Sequence, residues 1–288
     1  MIQCITAYNR MLRPAFAATR EVDMGLIRLS ALSVVLLAGV VAVRAQAERQ
    51  GYLAPGALDI LAILPPAPVK GDPRYEADRR IFRGTRALVG TPRWDLATGD
   101  VPTGQADLMR DFSCALGVTM TPENAPRTEA LVARARIDTG RGTNVAKGYY
   151  KRSRPFLIDK GAICQPAKDV LDSYDYPSGH TTLGWTWAML LAELAPDRAT
   201  QLLARGRAYG ESRIVCGVHN ASAVEGGRLS ATATLAALSS SPQFQADFAA
   251  ARAELAALRG TGAAPDAGMC AREASLVAQP IFGPAQRR

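Results

Sequence analysis

Residues 176–194 read YPSGHTTLGWTWAMLLAEL. From 182 to 194 the apolar residues fall on every side of a 3.6-residue period, which predicts a helix enclosed by protein on all faces. Ser178 and Gly179 stand where such a helix would begin, and both are common caps. Outward from this segment the patterning stays helical. YEADRRIFRGTRAL (75–88) carries apolar residues at helical spacing, and TPEN opens a helix over 121–136. Pro196 suits the first turn of the next helix, a further one starts near Asn220, and QFQADFAAARAELAAL (243–258) reads as another. Period-two alternation is nearly absent. Residues 48–72, rich in Pro, Ala and Leu, read as an extended arm with a short helix at most. The Gly-, Ala- and Pro-rich tail after Gly260 reads as irregular and pinned by Cys270. With no internal repeat and no linker, residues 48–288 are expected to form one compact all-α helical bundle domain.

The amino-terminal region belongs to a different category. LSALSVVLLAGVVAV (29–43) lies between Arg28 and Arg44 and is followed by Ala45-Gln46-Ala47. The run is shorter than the ~20 residues a membrane span needs, and the small residues at 45 and 47 suit a signal peptidase. Residues 1–47 therefore read as a leader with a cleavable signal peptide, Met24 offering a second start, and the destination is periplasmic or secreted. A retained anchor is the competing reading. Setting aside the five arginines and two acidic residues of the leader lowers the formal charge from +8 to +5. Cys114, Cys164, Cys216 and Cys270 remain, an even number that in an exported chain suggests two disulfides. Three pairings are open, and proximity in sequence favours Cys114–Cys164 with Cys216–Cys270.

The chain has two histidines, His180 and His219. A helix amino terminus offers free N–H groups and the positive end of its dipole, and Gly179 lets backbone approach an anion while the Ser178 hydroxyl adds a donor. Basic residues crowd into KGYYKRSRP (147–155), where Lys147 and Arg154, if helical, would share a face two turns apart. Such a cluster also fits a solvated face, or a nucleic-acid patch interleaved with Tyr149 and Tyr150. Ser212-Arg213 then leads into His219. Three cations, a helix-terminal nest and two imidazoles suit one tetrahedral oxyanion, because Arg binds such oxygens in a fork and Lys as a point charge.

These residues fall into K-x6-R-P (Lys147, Arg154, Pro155), P-S-G-H (177–180) and S-R-x5-H (Ser212, Arg213, His219). In this the chain resembles the class A bacterial non-specific acid phosphatases, within the superfamily that includes type 2 phosphatidic acid phosphatases and vanadium haloperoxidases. RALVGTPRW and DFSCALG are also similar to segments of the acid phosphatases. The resemblance implies the helical bundle of that superfamily and metal-independent hydrolysis of phosphate monoesters, with inorganic phosphate released and no cofactor. It implies His219 as the nucleophile that becomes a phosphohistidine, and His180 as the general acid and then base. Lys147, Arg154, Ser178, Gly179 and Arg213 would hold the phosphoryl oxygens. His219 should then be neutral and His180 should keep its proton, so the two rings need different surroundings. A homo-oligomer is also suggested. With the basic residues absorbed by the oxyanion site, nucleic acid is not expected as a partner, nor is a membrane once the signal is removed.

The family pattern continues H-x3-D, and here the fourth residue after His219 is Ala223. Glu225 would point about 240° round a helix from His219 and substitutes poorly, leaving a backbone carbonyl, a water or Glu211 to orient the ring. A phosphate-binding homologue with weakened catalysis is therefore one alternative. A vanadium haloperoxidase is the other, disfavoured by the short spacings of 21 residues from Pro155 to Pro177 and 31 from His180 to Ser212. Cys216-x-x-His219 is a weak zinc motif when the cysteines serve disulfides. GTNVAKG lacks the Gly-Lys-Ser/Thr of a P-loop, and YPSGH does not fit a serine-hydrolase elbow.

Overall fold

The computed structural model describes residues 50–282, which are helical with no β-strand among them. The leader read over 1–47 lies outside the described residues. The helices are α1 (Ile60–Ile63), α2 (Pro73–Thr85), α3 (Pro92–Gly99), α4 (Gln105–Leu116), α5 (Pro126–Tyr150), α6 (Gly179–Leu194), α7 (Ala199–Val215), α8 (Ala221–Leu238), α9 (Pro242–Thr261) and α10 (Ala267–Ala278). The all-α expectation is met.

α6 is the centre of the bundle, as its all-round apolarity dictates. Trp187, Ala188, Leu190 and Leu191 are each no more than 1% exposed, and α5, α7, α8 and α9 all pack against the helix. Small residues set the closeness of the α6–α7 crossing. A Cβ on Gly184 would stand 2.2 Å from the Tyr209 ring, and one on Gly206 would stand 2.3 Å from Ala188 Cβ. Neither position accepts a side chain without moving a helix. The arm before α1 is tied down by Asp138 of α5, which accepts the Tyr52 amide at 2.6 Å.

Three sequence expectations are corrected. α5 does not stop near residue 136 but runs on to Tyr150, and Lys151 then takes a left-handed conformation (φ 45°). Arg154 consequently lies on extended chain beyond the helix and reaches the site from a different direction than Lys147. The tail is not irregular. Asp266 caps α10 by accepting the Met269 amide, and this helix folds back against α3, α4 and α7. That return determines the disulfides, which are Cys114–Cys270 and Cys164–Cys216. Sequence proximity favoured the wrong pairs because α10 docks beside α4, while the loop before residue 166 pairs backbone with Cys216 at 3.0 Å. Each bridge closes a long loop of the unfolded chain, a constraint typically contributing roughly 2–4 kcal/mol.

Candidate active site

The amino terminus of α6, the carboxyl ends of α5 and α7, and the turn between α7 and α8 meet around a cleft of about 410 Å³. Lys147, Arg154, Gly179, His180, Arg213 and His219 line it. Six of the seven sequence-selected residues thus share one cavity. The seventh, Ser178, is fully buried, and its Oγ accepts the Thr181 amide at 3.2 Å as the N-cap of α6. Its hydroxyl is turned onto the helix rather than into the cleft.

His219 is held from both sides. Nδ1 lies 3.0 Å from Asp175 Oδ1, and since a carboxylate can only accept, Nδ1 carries the proton. Nε2 lies 3.1 Å from Arg154 Nη1, so it presents a lone pair to the guanidinium and the cleft. Asp175 is itself completely buried. It accepts the Asn220 amide at 3.1 Å and Asn220 Nδ2 at 2.8 Å, with Arg152 3.4 Å away. Arg152 is anchored in turn by the buried Asp78, which also accepts the Ser222 amide at 2.9 Å. Sequence reasoning missed Asp175, although it stands only five residues before His180. Glu211, one of the substitutes considered for the absent carboxylate, pairs instead with Arg207 at 2.6 Å. Ala223 occupies a dry cluster with Ile60, Leu64, Ala146 and Tyr176.

His180 stacks on Tyr209 with ring centroids 4.7 Å apart, and its Nε2 donates to the Asp100 carbonyl at 2.6 Å. Asp100 is a second missed residue. Its carboxylate takes Arg205 at 2.6 Å and the Ser212 hydroxyl at 2.6 Å, and Arg93 of the TPRW segment donates to that hydroxyl at 3.1 Å. A buried polar network thereby fixes the floor on which both His180 and the Ser212-Arg213 pair rest.

The cations differ in how completely they are satisfied. The Lys147 ammonium donates to the Tyr174 carbonyl, and burial, with Arg154 nearby, lowers its pKa to about 7. Arg154 donates to the carbonyls of Ser173 and Val218, each at 2.8 Å. Arg213 spends one nitrogen on Gln165, but its Nε and Nη1 are buried without any partner. Two orphaned guanidinium donors beside two further cations make a strongly anion-seeking site. Burial, then Arg154, Lys147 and Arg213, hold the His219 pKa well below the usual imidazole value. His180 is lowered as well, by burial and then Arg213. Both rings are thus shifted in the same direction by burial and by shared cations, whereas the roles expected of them need His180 to keep its proton.

Comparison with known proteins is consistent with this geometry. The PAP2 superfamily pattern matches residues 130–246. An acid phosphatase of Zymomonas mobilis is 38% identical over 219 residues, which cover 75% of this chain and 83% of that protein. A non-specific acid phosphatase of Salmonella typhimurium is 35% identical over 195 residues, covering 67% of this chain and 78% of the relative. One of Providencia stuartii is 35% identical over 206 residues, covering 70% and 83% respectively.

Proposed function

The chain belongs to the PAP2 superfamily and is kin to its acid phosphatases, and from that premise we propose an exported, metal-independent phosphomonoesterase working through a phosphohistidine. The observation that carries this reading is the pairing of a lone-pair nitrogen, His219 Nε2, with the unpartnered buried donors of Arg213 in one cleft. In phosphoryl transfer, placement of the nucleophile and neutralisation of the equatorial oxygens supply most of the catalysis. Lys147, Arg154, Arg213 and the Gly179 amide are the groups for those oxygens, and Ser178 serves by fixing the start of α6.

His219 Nε2 attacks phosphorus as the bond to the leaving oxygen breaks, and the leaving oxygen takes a proton from His180. Water then attacks the phosphohistidine, giving a proton to His180 and releasing inorganic phosphate and free His219. With Nε2 of His180 committed to the Asp100 carbonyl, Nδ1 is the nitrogen that carries the transferred proton. A bound substrate supplies what the cleft's own charges deny His180. An anionic phosphoryl group offsets Arg213 and its neighbours and raises the ring's proton affinity.

The test is phosphate release from an aryl phosphate at about pH 5.5, where the substrate remains anionic, with EDTA present and His219→Ala beside the parent. Turnover by the parent, an acid-labile phosphoenzyme on quenching and neither in His219→Ala are the expected results. Phosphate or vanadate binding without turnover in the parent would replace the enzyme by a phosphate-binding homologue. Export predicts a mature protein beginning at Glu48.

A further inference from the structure

A second hollow of about 340 Å³ opens beside the catalytic cleft, and the two share Thr103, Gly179 and His180. One face of α5 forms its wall, carrying Arg136, Gly140 and Asn144 at four-residue steps, with Lys147 of the catalytic cleft close to the same line. Three features of this wall are unexplained by folding. Gly140 sits in mid-helix, where glycine is unfavourable, yet a Cβ there would meet nothing within 4 Å. Arg136 donates to the Thr103 carbonyl at 3.3 Å but pairs with no carboxylate among the described residues, whereas Arg134 and Arg141 on the same helix pair with Asp247 and Asp138. Asn144 is exposed at the rim.

The reaction gives this hollow a direction. The leaving oxygen departs toward His180, so the alcohol must lie on the side of that ring away from His219. Among the described residues no Phe, Tyr or Trp lines the groove, so they offer no platform for stacking a base. What it presents is a hydroxyl from Thr103, an amide from Asn144, a free glycine floor and one uncompensated guanidinium. That charge is close enough to His180 to be among those that lower its proton affinity.

We propose that this groove is the leaving-group subsite and that Arg136 makes it select small, hydroxylated alcohols bearing an anionic group of their own. The inference rests on the phosphatase reading above. Arg136 is a specificity-determining residue here and takes no part in bond making. An anionic group on the alcohol would replace water at the free guanidinium nitrogens, with hydroxyls on Thr103 and Asn144.

The exported protein is assayed with 3-phosphoglycerate and with glycerol 3-phosphate, which share a hydroxylated three-carbon chain while only the first carries a carboxylate. The parent is expected to favour 3-phosphoglycerate in kcat/KM by about tenfold, the scale of one charge-assisted hydrogen bond. Arg136→Gln should abolish that preference and Arg136→Lys should keep part of it. Gly140→Glu, which adds a negative charge where there is open space, should reverse it. A parent without preference, or a preference that Arg136→Gln and Gly140→Glu both leave within about twofold of the parent, overturns the inference while the phosphatase stands. Failure of the parent to release phosphate from either ester or from an aryl phosphate overturns the phosphatase reading and the inference with it.

Discussion

Asp175 Oδ1 lies 3.0 Å from His219 Nδ1 although the two residues are 44 positions apart in the chain. In the family pattern the carboxylate for this histidine follows it by one helical turn, and at that position stands Ala223. Here it arrives from the loop that leads into Pro177, clamped by Asn220 and backed by the Arg152–Asp78 pair. Asp175→Asn keeps the shape but can present the wrong hydrogen-bonding group to Nδ1. In a serine protease the equivalent change costs about 10⁴ in rate. We expect kcat to fall by about 10³–10⁴ with little change in vanadate affinity, measured by rapid-quench formation of the phosphoenzyme. Equal losses in vanadate binding and in rate would make Asp175 a structural residue only.

The two imidazoles link folding to pH. Both have proton affinities lowered by burial and by the cations of the cleft. His180 faces Arg213, Arg136, His219 and Tyr209, and His219 faces Arg154, Lys147, Arg213 and Asp175. A depressed pKa means that the unfolded chain binds more protons than the native one below about 6.5, so stability is present above that pH and declines as pH falls. Buried acids such as Asp111, raised to about 6 by burial, act in the opposite sense, which is why a difference must be measured. The stability of the parent relative to His180→Asn should decrease between about pH 7 and pH 5, read by urea unfolding, and saturating inorganic phosphate should reduce that decrease. A difference independent of pH would show that the ring binds its proton equally well in the folded and unfolded chain, and a difference that grows as pH falls would show a ring that folding helps to protonate.

The sequence made α6 legible because a run apolar on every face has one stable place, the centre, and because Ser178 and Gly179 mark its start. Both histidines and all three cations were legible because they lie within short fixed spacings. Asp175 and Asp100 were not. Their bonds to His219 and His180 span 44 and 80 residues, and nothing in a linear string says which acid will be folded against which ring. The continuation of α5 through GRGTNVAKG was obscured by its glycines, although packing does not demand them: a Cβ on Gly140 or Gly148 would meet nothing within 4 Å, and one on Gly142 would make only ordinary contact with Ile60 at 3.6 Å. The cysteine pairs depended on where α10 docks. That helix did announce itself in one respect, since Asp266 followed by an Ala-rich run is an N-cap signal.

Restoring the family residue at 223 should harm the protein. Ala223 has no exposed surface and packs with Ile60, Leu64, Ala67, Ala146 and Tyr176, and its carbonyl accepts the Ser178 amide at 2.9 Å, supporting the start of α6. A carboxylate there would enter an apolar cluster, while His219 Nδ1, the one ring proton to be claimed, already belongs to Asp175. Burying an unpaired charged group is among the few single changes that cost several kcal/mol. Ala223→Asp is therefore expected to lower stability by roughly 2–4 kcal/mol in urea unfolding and to leave kcat no higher than the parent's. If instead Ala223→Asp raised kcat, the Asp175 bond would be an incomplete substitute. Its effect in an Asp175→Asn background separates the two cases, because a gain confined to that background means that one carboxylate at Nδ1, from either side, is all the ring requires.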